Sequence, residues 1–205
     1  MRRAGLSRSA FAYLTLVVTA AALSVALAAA ELPSHFNGDF LVTSSCLAGL
    51  YLLTAVWRFR VGDSRTQVAP STPVTLSAYP LVGFSGAVLI ALLSIVTFRN
   101  DPLVKKLFNV SQLVLSVAVG AAVYLGLGGR VGIEGTSVPL FVGQMLAADI
   151  AAVAMNGLLV ARMVSLVEGV PMRRILMGSM IPEAPAEIGY GLFGLLLAVL
   201  WDGVG

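Results

Sequence analysis

The sequence predicts an all-α fold: a polytopic membrane helical bundle with about five full transmembrane helices plus one broken or re-entrant segment. Hydrophobic residues make up 58% of the chain, charged residues only 11%, and the mean hydropathy is +0.93. Soluble domains hold about a quarter charged residues, so this composition indicates a chain surrounded by lipid. The charges stand between apolar runs rather than within them, and no hydrophilic block is long enough to fold separately. We therefore expect residues 1–205 to form a single integral membrane domain.

Six apolar runs are long enough to be considered as spans. The first resembles a signal peptide, but its 22 uncharged residues exceed an ordinary signal-peptide core, so we expect a retained helix. The Ser-, Thr- and Pro-rich stretch "VGDSRTQVAPSTP" is expected to be a loop. The last run is short for a crossing unless residues 184–187 are drawn into it. The predicted runs are Ser9–Ala30, Phe40–Trp57, Val74–Thr97, the stretch bracketed by Lys106 and Arg130, Val138–Val164 and Ile188–Trp201.

The third run decides the topology, because it contains Pro80, Gly83 and Gly86. Basic residues favour the cytoplasmic side, so the N-terminal arginines place the N-terminus in the cytoplasm. If the third run crosses fully, six later basic residues face outside, against this rule. If it breaks near Pro80 and returns, all six face the cytoplasm and Arg130 faces outward. We expect the broken or re-entrant form, with a plain kinked crossing helix as the alternative. The six residues are Arg99, Lys105, Lys106, Arg162, Arg173 and Arg174.

Polar residues recur on two of the predicted helices. Asn109, Gln112 and Ser116 follow an i, i+3, i+7 spacing, which places them on one helix face. Asp149 and Asn156 are seven apart and share a face as well. We predict a polar cluster of these five residues that binds a ligand or joins helices, with Asn109 and Gln112 facing Asn156. The alternative is that the amides only hold helices together, an interaction worth about 1 kcal/mol.

Asp149 is the strongest candidate for a functional residue. It lies near the predicted bilayer centre, where a carboxylate is costly unless it is paired, hydrated or protonated. Glu183 and Glu187 are interpreted instead as acidic residues in the first turn of the last helix. Small residues are expected to permit close helix packing, namely Gly120 next to Ser116 and Gly189, Gly191 and Gly194.

Catalysis finds little support in the sequence. There is one histidine, His35, and one cysteine, Cys46, and no metalloprotease, hydrolase or paired metal-ligand motif. We therefore expect no enzyme activity, no cofactor and no metal site. The net charge of +3 is interpreted as setting topology, so no nucleic acid is expected as a partner.

A family resemblance extends over roughly Pro73 to Trp201. The run "DPLVKKLFNVSQLVLSVAVGAAVYLGLGG", a later "N-x-LLVA…EG-x-P" element beginning at Asn156, and the closing "EIGYGLFGLLLAVLW" carry it. The pattern resembles the membrane-embedded N-terminal region of bacterial signalling proteins that carry a cytoplasmic HD-type phosphohydrolase or diguanylate cyclase domain. Members of that family continue through one more span into the catalytic domain, and this sequence departs from them there. The expectation is a fragment or a stand-alone relative, to which the family's enzyme activity is not carried over.

The expected function is an integral membrane sensory or anchoring module in a bacterial inner membrane, coupling a small ligand or membrane state to a partner. The expected partners are the lipid bilayer and a cytoplasmic signalling domain or protein, and the sequence leaves a homo-oligomer open. Two alternatives remain: the substrate-binding membrane subunit of a small-solute, vitamin-like transporter, and a purely structural assembly subunit.

Overall fold

The computed structural model describes residues 6–55, 59–60, 67–68, 71–98, 101–132 and 135–203, with only the backbone of Ser34, His35 and the four strand residues. Arg2, Arg3 and Arg99, which entered the topology argument, lie outside the described residues. Six helical segments are long and apolar enough to cross a membrane, so the chain is a multi-pass, all-α membrane protein as predicted.

The helices follow one another with short connections. Leu176–Met180 is a π-helical stretch that joins α7 to α8, and two strands pair antiparallel within the connector predicted as a loop. The elements are α1 Arg8–His35, α2 Gly38–Ala55, β1 Phe59–Arg60, β2 Gln67–Val68, α3 Ser71–Leu92, α4 Ser94–Thr97, α5 Leu103–Gly126, α6 Val138–Glu168, α7 Met172–Ile175 and α8 Ile181–Asp202.

Burial differs strongly between the segments. We compared the 18 most apolar consecutive residues of each segment. Of these residues, 56% are buried in the segment formed by α3 and α4 and in α5, against 22% in α1 and α6 and 17% in α2 and the last segment. The third segment is therefore at the centre of the bundle, and its neighbours present large apolar side chains such as Leu23, Leu53 and Leu200 to the outside. Such a surface is suited to contact with lipid rather than with water.

The third segment is a broken hairpin. Helical geometry is interrupted at Gly83, whose φ of 66° and ψ of −165° are accessible essentially to glycine alone. The two ends of the segment meet, because the side chain of Tyr51 on α2 lies against Ser71 at its start and against Ser94 and Thr97 at its finish. A helix that crossed the bundle once would hold these residues at opposite ends.

The tip of this hairpin lies at the other end of the bundle. Ser85 donates a hydrogen bond to a carboxylate oxygen of Glu31 near the end of α1, at 3.1 Å. The carbonyl of Pro80 accepts one from the backbone N–H of Gly132, beyond the end of α5, at 2.7 Å. The segment thus enters and returns, which confirms the broken or re-entrant form and leaves five crossing segments.

The basic residues collect at one end, which we call the basic end. Tyr13 near the start of α1 donates to the carbonyl of Leu159 on α6 at 3.2 Å, and Phe108 near the start of α5 packs with Leu14 and Met163. These contacts place the start of α1, the start of α5 and the end of α6 together. The described basic residues of this end are Arg8, Lys105, Lys106, Arg162, Arg173 and Arg174, whereas Arg130 lies at the opposite, hairpin-tip end.

The last span is longer than the sequence predicts. Helical structure runs without a gap from Met172 to Asp202, over 31 residues, instead of beginning near Ile188. Pro182 lies inside this continuous helix, directly after the π-helical stretch Leu176–Met180, and such local π-helical adjustment is one way in which membrane helices tolerate proline. Pro185 lies further inside the same helix. The two prolines therefore do not mark a boundary, although the sequence pattern suggested one.

Candidate functional site

A polar cavity of about 90 Å³ lies in the middle of the bundle, between α3, α5, α6 and α8. The first half of the hairpin forms one wall, and α6 and α8 bring one carboxylate each. Its lining residues are Ser71, Thr72, Thr75, Leu76, Tyr79, Leu113, Ser116, Val117, Asp149, Ala152, Val153, Asn156 and Glu187. We call it the central cavity.

Asp149 is the most deeply buried charged residue of this cavity, with 3% of its surface exposed. Neither of its carboxylate oxygens has a hydrogen-bond partner among the described residues. The carboxylate packs directly on the backbone of Gly191 of α8, where any added Cβ atom would overlap it. The glycine therefore allows α8 to approach α6 closely enough to enclose the carboxylate.

Tyr79 contributes a second buried polar group. It is 1% exposed, and its hydroxyl likewise has no described partner. The phenol lies against Gly120 of α5, where a Cβ atom would overlap the hydroxyl and approach the carbonyl oxygen of Ala148 at 3.1 Å. Tyr79 stands on the first arm of the hairpin, and Gly120 leaves the space on α5 that its hydroxyl occupies.

The remaining polar groups differ in what they offer an occupant. The Oδ1 atom of Asn156 is buried without a described partner. The hydroxyl of Ser116 already donates to the carbonyl of Gln112 at 2.7 Å, so only its lone pairs remain available. Glu187 is partly buried and adds a second carboxylate.

The electrostatic character of the cavity is acidic. Two carboxylates line it, and no arginine, lysine or histidine is among the described lining residues. Removing a charge from water without a partner costs several kcal/mol, so this arrangement favours an occupant that brings positive charge or protons.

Three of the five predicted site residues meet here: Ser116, Asp149 and Asn156. Asn109 lies elsewhere, because its amide donates to Asp101 at 3.4 Å, next to the Lys105–Asp101 ion pair at the basic end. Gln112 does not line the cavity either.

No hydrogen bond among the described residues joins Asn109 or Gln112 to Asn156, so the direct amide pair is not formed. A direct amide pair needs the oxygen of at least one partner to accept a hydrogen bond. The Oε1 atom of Gln112 and the Oδ1 atom of Asn156 accept none from the described residues. The amide of Asn109 donates its hydrogen bond to Asp101 instead, just before the start of α5.

Five polar cavity residues were missed by sequence reasoning, namely Ser71, Thr72, Thr75, Tyr79 and Glu187. Glu187 was assigned to the first turn of the last helix, but α8 begins earlier and places it inside the bundle. A signal was present, since Glu187, Gly191 and Gly194 share one helix face and Gly194 packs against Pro73 and Leu76 of α3. Tyr79 gave no polar pattern of its own.

A larger pocket of about 300 Å³ opens at the hairpin-tip end. Glu31, Asn37, Asp39 and Gly83 line it, among others. Its buried serine, Ser85, is already engaged by Glu31. This pocket lacks the unpartnered buried groups that distinguish the central cavity.

Comparison with known proteins adds no relative: no protein-family model matches the chain, and no curated protein or solved structure is significantly similar to it. The resemblance to bacterial signalling proteins therefore stays a prediction. What can be argued about function comes from the central cavity and the elements around it.

Proposed function

We propose that this chain is an integral membrane sensory module of a bacterial signalling system, which couples a small ligand to a cytoplasmic partner. The observation that carries the proposal is the central cavity, in which Asp149 is buried with both carboxylate oxygens unpartnered. A ligand that satisfies these oxygens interacts differently with different packings of the surrounding helices. That difference in affinity is what lets a ligand shift a conformational equilibrium.

The elements around the cavity supply a path to the basic end. α6 carries Asp149 and continues to Glu168, and α8 carries Gly191 and begins at the π-helical stretch Leu176–Met180. Short π-helical stretches occur frequently at functional sites, since their hydrogen bonding differs from that of the surrounding helix. A shift of α8 against Asp149 would therefore reach α7, which carries Arg173 and Arg174.

The orientation follows from the charge distribution. By the positive-inside rule, the basic end and the start of α1 face the cytoplasmic side of the inner membrane. The partner would then contact α7 and the end of α6, where Arg173 and Arg174 are exposed.

Site-directed photo-crosslinking in living cells tests this function. A photoreactive residue in place of Arg173 is expected to capture a cytoplasmic signalling protein, and one in place of Val131 at the hairpin-tip end serves as the control. Asp149→Asn should change the Arg173 yield by about fivefold or more, the lower range of ordinary allosteric coupling. The same partner captured with equal yield in both proteins would contradict coupling through the cavity.

A transporter subunit is the second candidate, and one observation favours it. A broken hairpin beside a buried carboxylate resembles the discontinuous helices that form substrate sites near the midplane of secondary transporters. The same crosslinking separates the two, because a transporter of this kind would capture no signalling protein at Arg173.

A further inference from the structure

We infer that the central cavity binds a small monovalent cation, held by the carboxylate of Asp149 and by neighbouring uncharged oxygen atoms. The inference deepens the proposed function by giving the class of its ligand, and its signalling consequence rests on that function. The binding itself rests on the geometry of the cavity.

Charge is the first argument. Asp149 and Glu187 both line the cavity, and its described lining contains no basic side chain. A buried carboxylate without a partner is costly, and a cation beside it removes most of that cost. An anionic or neutral ligand would leave the charge uncompensated.

The donor atoms give the kind of cation. Both carboxylate oxygens of Asp149, the hydroxyl oxygen of Tyr79 and the amide oxygen of Asn156 are buried without described partners. Oxygen ligands suit hard cations, whereas zinc, copper and iron favour nitrogen or sulfur. Within the described part of the chain, no three histidine, cysteine or acidic side chains are close enough to hold such a metal.

The volume of the cavity and the number of its carboxylates narrow the class of cation further. A cavity of about 90 Å³ has room for an ion with a few waters, since a water molecule takes up about 30 Å³ in the liquid. Calcium normally takes six to eight oxygen ligands, often several of them carboxylates, and magnesium needs near-ideal octahedral geometry. With a single fully buried carboxylate, the site suits sodium, potassium, or an ammonium ion of similar size.

Gly191 offers a way to test the site without removing a ligand atom. Gly191→Ala retains every polar group but forces the carboxylate of Asp149 to move. Gly189→Ala is the matched control, because it lies on the same helix and its Cβ atom would meet nothing within 4 Å.

The experiment measures thermal unfolding of the purified full chain in detergent. Sodium, potassium and ammonium chloride are each compared with choline chloride at equal ionic strength, because the methyl groups of choline keep oxygen atoms from coordinating its charge closely. At least one of the three cations should raise the midpoint by roughly 5–10 °C at 100 times its dissociation constant. The rise should be lost in Asp149→Asn, reduced in Gly191→Ala and kept in Gly189→Ala.

Several outcomes would overturn the inference. They are no rise above choline with any of the three cations, an equal rise in Asp149→Asn, or a rise produced only by magnesium or calcium. If Asp149→Asn does not fold, equal rises in Gly191→Ala and Gly189→Ala would overturn it instead. Equilibrium binding of radioactive sodium or rubidium to the unaltered protein gives an independent reading.

The two proposals fail separately. If the cation raises the midpoint but its replacement by choline leaves the Arg173 crosslink unchanged in membrane vesicles, the cation site stands and its signalling role fails. If the crosslink depends on Asp149 and no cation raises the midpoint, the sensory function stands and the ligand class is wrong.

Discussion

At the scale of single residues, two glycines determine where the buried polar groups lie. Gly120 faces the phenol of Tyr79, and Gly191 faces the carboxylate of Asp149. In both places a polar group of a neighbouring helix fills the space that a side chain would take. Glycine here does more than allow close packing, because it leaves room for the groups that line the central cavity.

Gly120→Ala is expected to destabilise the protein by about 1–3 kcal/mol, the usual cost of overpacking a close contact. The added methyl group would overlap the Tyr79 hydroxyl and lie 3.1 Å from the carbonyl oxygen of Ala148. Gly126→Ala on the same helix meets nothing within 4 Å and should be neutral or slightly stabilising. Reversible unfolding in mixed detergent measures both. Equal stability of the two variants would mean that the Tyr79 side chain moves aside with no loss of unfolding free energy.

A double-mutant cycle of Gln112→Leu and Asn156→Leu should show additive losses, with a coupling free energy below about 0.5 kcal/mol. The reason is that neither amide oxygen accepts a hydrogen bond, so the two residues form no pair. Unfolding free energies of the two single variants and the double variant give the coupling. A value near 1–2 kcal/mol would indicate a direct interhelical hydrogen bond after all.

The sequence was sufficient for part of the site. Asp149 stood out because a carboxylate within an apolar run is rare, and the seven-residue spacing correctly placed Asn156 on its face. The spacing on α5 selected Ser116 correctly, but it could not show that Asp101 holds Asn109 at the basic end. Tyr79 could not be found, since its role depends on the bend at Gly83 and on α5 behind it. Those are contacts between segments far apart in the chain.

At the scale of elements, the hairpin of α3 and α4 depends on one backbone position. Gly83 adopts φ 66° and ψ −165°, and the adjoining carbonyl of Pro80 is satisfied by Gly132 instead of by its own helix. The break therefore leaves no hydrogen-bonding deficit at Pro80. It is stabilised by the connection between α5 and α6.

Gly83→Ala should destabilise the protein by about 1–3 kcal/mol, because a side chain is strained in this backbone region. Its Cβ atom would also lie 3.0 Å from the Cγ2 atom of Val131. The control is Gly49→Ala on α2, where a Cβ atom meets nothing within 4 Å. Thermal unfolding in detergent compares the two. If Gly83→Ala unfolds at the same temperature as Gly49→Ala, the chain has another conformation available at the break.

Apolar runs predicted the helices well, and their ends less well. The run Val138–Val164 corresponds closely to α6, whereas α8 begins seven residues before the predicted Ile188. Proline correctly indicated the break in the third run, whereas the start of the last helix was misplaced because Glu183 and Glu187 were interpreted as its first turn. In the third run Pro80 accompanies a true break, but in α8 Pro182 and Pro185 are accommodated by a helix that continues. Proline limits local hydrogen bonding, and only the neighbouring helices decide whether the chain bends.

At the scale of the whole molecule, the returning hairpin keeps the basic residues together. Arg8 precedes the hairpin and Lys105 follows it, yet both lie at the basic end. This supports the orientation proposed above, in which that end faces the cytoplasm.

Thiol labelling of intact cells tests the orientation. On a Cys46-free background, cysteine in place of Lys105 or Arg173 should resist a membrane-impermeant reagent, and cysteine in place of Arg130 should react. All three positions are exposed in the structure, so access is decided by the membrane rather than by the fold. Reaction at Lys105 and Arg173 with protection at Arg130 would reverse the orientation. Protection of a cysteine in place of Arg8, which precedes the hairpin and is exposed at the basic end, together with reaction at Lys105 would contradict the returning hairpin.

The returning hairpin also has a consequence for biogenesis. Its mean hydropathy of 2.1 equals that of α1, so the insertion machinery meets a segment as apolar as an ordinary span. Pro73 and Leu76 of the hairpin pack against Gly194 of α8, which is synthesised after the other described helices. During translation this face of the hairpin has only lipid or the translocon to cover it. Folding of the third segment is therefore completed only after α8 has been synthesised, which makes the nascent chain dependent on whatever shields this face until then.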